Sequence, residues 1–205
     1  MSKNKILILA SIFIAIIIVI LIVFFKNETK IFKNGNNMSS QEIVDYFLNI
    51  SSYKATITVE VHSNKNFNKY IIKQEYINSK YSMQEVVEPS NIQGVKITKD
   101  DSGLKIENTN LNLSTIFENY EYIADNCLDL SSFIHNYTSN NKSNYKEENG
   151  QIIMTTQNIN DNKYTKHQTL YIDKNTKKPT KLEIKDYNQN ATINIIYNEV
   201  EINSL

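Results

Sequence analysis

The most conspicuous absence in this 205-residue sequence is arginine, because all 22 of its basic side chains are lysines. Lysine lacks the planar fork that holds phosphate or carboxylate through two hydrogen bonds, so specialised phosphate recognition is disfavoured. Glycine occurs only four times, and the sequence contains neither a glycine-rich phosphate loop nor a G-x-S-x-G motif. The common nucleotide-binding and serine-hydrolase signatures are therefore excluded.

Cysteine and net charge exclude further classes. The single cysteine, Cys127, cannot form a disulfide within the chain, so a disulfide-stabilised secreted scaffold is excluded. From Ile31 onward, 18 lysines stand against 21 acidic residues, a net charge of about −3. This balance gives no electrostatic reason to expect nucleic acid as a partner.

The histidines do not form a recognisable catalytic or metal-binding motif. His62, His135 and His167 are far apart in the sequence, and there is no HExxH pattern. We predict no catalytic residue, no bound metal and no cofactor, and we expect a non-enzymatic protein.

One long hydrophobic run dominates the N-terminus. Ile6 to Phe25 comprises 20 residues without a charge, and Ser11 is its only polar position. As a helix it would span about 30 Å, the thickness of a bilayer's hydrocarbon core. The run predicts an uncleaved membrane anchor between a cytoplasmic tip (residues 1–5) and a linker (residues 26–38). Lys3 and Lys5 favour a cytoplasmic N-terminus and an extracytoplasmic domain over residues 39–205.

The domain begins with a helix and continues with strands. Ser39 and Glu42 have the spacing of a capping box, which predicts a helix that continues to Ile50. From Ser52 to His62, apolar and polar residues alternate, as in a strand with one buried face. About nine such strands are predicted, and Asn149-Gly150 is the strongest hairpin turn among them.

Helical spacing interrupts the strands between Leu111 and Tyr137. It predicts two short helices, one over Leu113 to Ile123 and one from Leu130 onward, the second capped by Asp125 or Asp129. No βαβ pattern is present, so the strands should form an antiparallel sheet. We predict an α+β fold, a large curved antiparallel sheet (an open half-barrel) covered by the leading helix and the helical insertion.

The order of these elements resembles a known family. A helix leads into the alternating strand Tyr53 to Val61, and Leu170-Tyr171-Ile172-Asp173, Lys177-Lys178-Pro179 and Ile195 to Asn203 follow near the end. This arrangement resembles the LolA/LolB-like lipoprotein carriers, in which a curved sheet surrounds a helical plug. Within that group, the chain is similar to the clostridial germination lipoproteins of the GerS type.

The resemblance implies an accessory role in sporulation. GerS-type proteins lie outside the cytoplasmic membrane around the developing spore. They bind and activate an N-acetylmuramoyl-L-alanine amidase of the CwlD type, which prepares the spore cortex peptidoglycan for germination. This chain departs from the pattern at its anchor, because no lipobox cysteine follows the apolar run. The resemblance therefore predicts a membrane-anchored regulator, with the amidase as partner, in the forespore envelope.

Aromatic residues provide the candidate binding site. The predicted helical insertion holds five of them: Phe117, Tyr120, Tyr122, Phe133 and Tyr137. They could pack in the core, form a contact surface for a partner, or line a cavity for a lipid. The alternative function is accordingly a LolA-like carrier or sensor of a hydrophobic ligand. Long alternating strands also allow a strand-mediated homodimer.

Overall fold

Eleven antiparallel strands form one sheet in the described part of the chain. The structure is a computed structural model that describes residues 38–63, 65–78, 80–118, 127–160 and 162–204. The strands are β1 (Ile50–His62), β2 (Phe67–Ile77), β3 (Tyr81–Glu88), β4 (Val95–Asp100), β5 (Gly103–Asn108), β6 (Leu113–Phe117), β7 (Asn144–Glu148), β8 (Gln151–Gln157), β9 (His167–Asp173), β10 (Lys178–Lys185) and β11 (Ala191–Ser204). Two helices accompany them, α1 (Ser40–Leu48) and α2 (Leu130–Ser139).

The sheet consists of two meanders joined at its centre. Strands β1 to β6 run outward in one direction and β11 to β7 in the other, so β6 and β7 are its edges. The join is the long antiparallel pairing of β1 with β11, which brings the start and end of the domain together. Asn149-Gly150 forms the predicted tight turn between β7 and β8, with φ of 52° and 75°.

Helix α1 begins as its sequence predicts. The Ser39 side chain accepts a hydrogen bond from the Glu42 backbone N–H, and the Glu42 carboxylate accepts one from the Ser39 backbone N–H. Ile43, Val44 and Phe47 form the buried face of the helix. The helix ends just before β1, whose first residue is Ile50.

The core lies between the two helices and one face of the sheet. Along β1 the buried residues include Tyr53, Ala55, Ile57 and Val59, the alternation expected of a half-buried strand. The same alternation places four further pairs of apolar side chains on that face: Ile152 and Met154, Leu170 and Ile172, Leu182 and Ile184, Ile195 and Tyr197. Phe47 and Phe133 cover them from the helices.

One predicted helix is wrong in its described part. The predicted helix over Leu113 to Ile123 is a strand, β6, as far as Phe117, because its backbone pairs with all of Leu104–Asn108 in β5. Spacing at 113, 116 and 117 suits a helix, but it suits a short edge strand as well. Residues 119–126 lie outside the described residues. The second predicted helix is confirmed as α2, with Asp129 at its N-cap position.

The predicted anchor, Ile6 to Phe25, also lies outside the described residues. Within the part of the chain that the structure describes, no helix is long and apolar enough to cross a membrane. The described strands and helices belong to one unit, Ser39–Leu205.

Candidate functional site

Helix α2 is fixed to the sheet at its N-terminus by a buried carboxylate. Asp129 is 8% exposed, and its Oδ1 accepts hydrogen bonds from Nε2 of Gln84 and of Gln74. The hydroxyl of Tyr53 accepts a hydrogen bond of 3.2 Å from the backbone N–H of Leu130. These contacts connect the first turn of α2 with β1, β2 and β3.

Burial changes the acidity of this cluster. Desolvation raises the pKa of Asp129 to about 6, against hydrogen bonding by Gln84 and the positive charge of Lys99, which favour the ionised form. Desolvation also raises the pKa of the Tyr53 and Tyr197 hydroxyls, and the nearby Asp129 carboxylate adds to both shifts. Both tyrosines therefore remain neutral at physiological pH.

A second polar network fixes α2 to the other half of the sheet. Asn136 is 2% exposed, and its side-chain amide donates to Oε1 of Gln168 on β9 at 3.1 Å. The backbone carbonyl of Asn136 accepts from the hydroxyl of Thr156 on β8 at 3.2 Å. Buried polar groups are tolerated only with such partners, so the two networks define where α2 lies on the sheet.

The interior of the half-barrel is filled by the protein's own side chains. On the helices, Ile43, Phe47, Leu130 and Phe133 are at most 1% exposed. The opposing sheet residues, among them Met154, are equally buried. An acyl chain could enter this region only by displacing these buried side chains.

Apolar side chains are instead exposed on strands β4 to β6. Gln84, which bonds to Asp129, lies opposite Ile97, and Ile97 lies opposite Ile106. Directly paired residues share a face, so Ile97 and Ile106 lie on the helix-bearing face, as does Leu113 on β6. These three side chains and Phe117 are 37–62% exposed. We call Ile97, Ile106, Leu113 and Phe117 the apolar patch.

The two edges of the sheet differ in charge. The outer edge strand β7 carries Lys146, Glu147 and Glu148, and Glu147 forms an ion pair of 2.7 Å with Lys174. Strand β6 carries no charged residue, and all five of its residues are exposed. Charged edges discourage pairing with other chains, whereas an uncharged apolar edge allows it. The β6 side is therefore the more suitable contact surface.

The predicted aromatic site is divided between different environments. Phe133 is in the core at 1% exposure, so core packing explains it and it is not available as a contact residue. Tyr137 is half-buried on α2, with its ring centroid 5.9 Å from that of Phe133. Phe117 is 42% exposed and belongs to the apolar patch. Tyr120 and Tyr122 lie outside the described residues.

Sequence reasoning missed the buried polar residues that hold α2. Gln74 and Gln168 occupy inward positions of strands whose other inward residues are apolar, such as Ile72 and Leu170. A polar residue at an inward position is the signal that could have identified them, because it requires an internal partner. The partners, Asp129 and Asn136, cannot be identified without the fold.

The architecture defines a class: an α+β protein in which an open antiparallel sheet surrounds a helical plug. The chain belongs to the family described as sporulation protein YdcC-like, whose model matches residues 3–204. No curated protein matches the chain significantly.

Solved structures share the fold. A chain of the structure described as the CwlD amidase from Clostridioides difficile in complex with the GerS lipoprotein matches with 24% identity and a TM-score of 0.51 over 80% of this chain and 96% of that chain. An uncharacterised conserved protein from Thermus thermophilus matches with 12% identity and a TM-score of 0.52 over 82% and 90%. A LolA superfamily protein from Nitrosomonas europaea matches with 10% identity and a TM-score of 0.41 over 82% and 96%. The match to the structure that contains the GerS lipoprotein confirms the resemblance inferred from the sequence at the level of the fold.

Proposed function

We propose that this protein is a non-enzymatic, membrane-anchored envelope protein that binds and activates a CwlD-type peptidoglycan amidase during sporulation. The proposed amidase prepares the spore cortex for germination. The observation that carries the proposal is the shared fold with a structure that contains a CwlD amidase and the GerS lipoprotein. Membership of a sporulation family agrees with this assignment.

The packing of the interior favours a regulator over a carrier. A LolA-like carrier needs an accessible apolar cavity, but the space between α2 and the sheet holds buried side chains such as Leu130 and Phe133. Four apolar side chains remain exposed on one face of β4–β6, where they form the apolar patch. An exposed apolar surface of this kind suits a protein partner.

Reconstitution with the amidase tests the proposed function directly. We expect the full chain, in detergent, to co-elute with the CwlD-type amidase of the same organism in size-exclusion chromatography and to raise the release of stem peptides from peptidoglycan. Separate elution together with unchanged amidase activity would overturn the proposal. Mass spectrometry of the purified chain would then decide whether a bound lipid supports the carrier function.

The apolar patch yields a matched pair of variants. Leu113 and Ile116 are 62% and 58% exposed on the same strand, but they lie on opposite faces of the sheet. We expect Leu113→Asp to weaken the amidase complex by about tenfold or more, since a charge would be desolvated at the centre of the contact. Ile116→Asp should leave affinity nearly unchanged. Titration calorimetry measures both, and equal losses would remove the patch from the contact.

We also propose that Ile6 to Phe25 anchors the protein, with the domain outside the cytoplasm. The uncharged 20-residue run supports this proposal. Deleting residues 1–37 should move the protein from the membrane pellet to the soluble fraction after cell lysis. Treatment of protoplasts with a protease should degrade the full-length domain. A deletion variant that still sediments with membranes would show that another segment holds the protein there.

The uncharged edge of β6 supports the further proposal of a strand-mediated homodimer. Pairing of β6 with its counterpart in a second copy would bring no like charges together, since the strand has none. Light scattering of the detergent-solubilised chain distinguishes a dimer from a monomer. The Ile116→Asp variant should then shift the mass toward the monomer.

A further inference from the structure

A cleft lies beside α2, bordered by Asp129 and Asn136 of the two polar networks and by residues that those networks do not use. It has a volume of about 700 Å³, and it is bordered by α2, by the adjoining parts of β2, β3 and β4, and by the connection after β8. Ligand sites in proteins commonly measure roughly 300–1,000 Å³, so its size suits a small molecule or a short polymer segment.

Polar side chains with unused hydrogen-bonding capacity line this cleft. Tyr76, Ser82, Ser131 and His135 all border it. In the part of the chain that the structure describes, none of these four side chains makes a hydrogen bond within the protein. Their hydroxyl and imidazole groups can both donate and accept hydrogen bonds, and they lie on the two opposite walls of the cleft.

Apolar surface completes the lining. Tyr76 is held by stacking on the buried Tyr53, with ring centroids 5.4 Å apart and an angle of 22° between the rings. Leu48, Ile134 and Ile159 also border the cleft, whereas Tyr81, which pairs with Ile77, lies on the other face of the sheet. A tyrosine presents an apolar ring face and a polar hydroxyl together, which suits a ligand with both apolar C–H surfaces and hydroxyl groups.

This chemistry disfavours a lipid chain and favours a sugar. A lipid would cover the hydroxyls without pairing them, at a cost of about 1–3 kcal/mol for each group left unsatisfied. A sugar ring offers C–H faces to Tyr76 and to the aliphatic side chains, and its hydroxyl and acetamido groups can pair with the serines and the histidine. We propose that the cleft binds the glycan strand of peptidoglycan. The identity of this sugar polymer rests on the proposed function.

The position of the cleft next to the apolar patch gives the binding a consequence. Lys99 borders the cleft, and Ile97 of the patch lies two residues away on the same face of β4. A glycan held in the cleft would therefore lie beside the surface that receives the amidase. The protein would then bring the amidase to its substrate in addition to activating it.

Sedimentation with cell-wall sacculi tests this proposal without the amidase. The full chain is solubilised in a detergent that contains no sugar, mixed with sacculi stripped of teichoic acid, and pelleted. We expect it to sediment and to be released by soluble oligomers of N-acetylglucosamine and N-acetylmuramic acid. The double variant Tyr76→Phe/Ser131→Ala, which removes two hydroxyls and keeps the ring stacked on Tyr53, should lose affinity by about tenfold or more. Tyr187→Ala, at an exposed tyrosine away from the cleft, is the matched control.

Each result has a defined meaning. A wild-type chain that stays in the supernatant overturns the glycan site, as does equal binding by the wild type and the double variant. Equal losses in the double variant and in Tyr187→Ala overturn it too, because binding would then be a general surface effect. Thermal unfolding of the double variant should match the wild type. Co-elution with the amidase is measured separately on the same variants, so failure of the glycan site is distinguishable from failure of the proposed function.

Discussion

Replacing Phe133 with alanine is expected to lower the free energy of unfolding by about 3–5 kcal/mol. The side chain is 1% exposed and lies between α2 and the sheet, so its removal leaves a cavity that the fixed helix cannot close. The ring contact with Tyr137, at 5.9 Å between centroids, is lost as well. Urea unfolding of the Ser39–Leu205 unit, followed by circular dichroism, measures the change.

Phe67→Ala is the matched control for this substitution. Phe67 is 56% exposed at the start of β2, so its replacement should change the free energy of unfolding by less than about 1 kcal/mol. A comparable small effect for Phe133→Ala would contradict the packing of α2 against the sheet. The interior would then have to be loose enough for a ligand, and the carrier function would regain support.

Local patterns were sufficient to predict the elements whose signals come from short range. The capping box at Ser39 and Glu42 identifies the start of α1, because both hydrogen bonds are made within one turn. The alternation along β1 identifies its buried face, since side chains on a strand alternate between two faces. Asn149-Gly150 predicts its hairpin because both residues readily adopt positive φ.

Strand β6 could not be predicted because its pattern is ambiguous. Leu113, Ile116 and Phe117 satisfy helical spacing, while pairing with β5 is a contact that no local window contains. Gly103 allows this pairing to continue to the end of the hairpin, since a Cβ there would lie 2.5 Å from the Phe117 carbonyl oxygen. Tertiary pairing therefore determined the conformation where propensity was neutral.

The aromatic binding site stays a prediction, and its residues do not share one environment. Burial separates Phe133 from Phe117, and the sequence gives no indication of that difference. The cleft combines Tyr76 and Ser82 with Ser131, residues from three elements whose proximity depends on the register of the sheet and the position of α2. Sites built across elements in this way require the fold before they can be recognised.

The buried networks also connect the structure with the proposed activity. Because α2 is held to β1–β3 through Asp129 and to β8–β9 through Asn136, it closes the space that a carrier would leave open. The side chains of the apolar patch on β4–β6 stay exposed on the same face. A rigid, filled domain with an apolar edge is suited to contact another protein rather than to hold a lipid.

The Asp129→Asn variant is expected to remove part of the pH dependence of stability. Burial raises the pKa of Asp129 from its ordinary value of 3.8 to about 6, so the folded state binds the proton more tightly than the unfolded state. The stabilising contribution is complete below about pH 3.8 and is lost as pH rises to about 6. This difference between the pKa values of Asp129 in the unfolded and folded states corresponds to a free energy of about 3 kcal/mol. At neutral pH the ionised carboxylate therefore destabilises the folded state by about that amount.

Urea unfolding of the wild type and the variant at pH 4 and pH 7 isolates this contribution. Lowered pKa values at other carboxyls, such as Glu147 and Asp173, affect both proteins equally and cancel in the comparison. The stability of Asp129→Asn relative to the wild type should therefore rise by about 2 kcal/mol between pH 4 and pH 7, because part of the contribution is already lost at pH 4. Asp101→Asn, in the exposed turn after β4, should show no such change. Parallel pH profiles for the wild type and Asp129→Asn would mean that the carboxylate reaches solvent and that the first turn of α2 opens readily from the sheet.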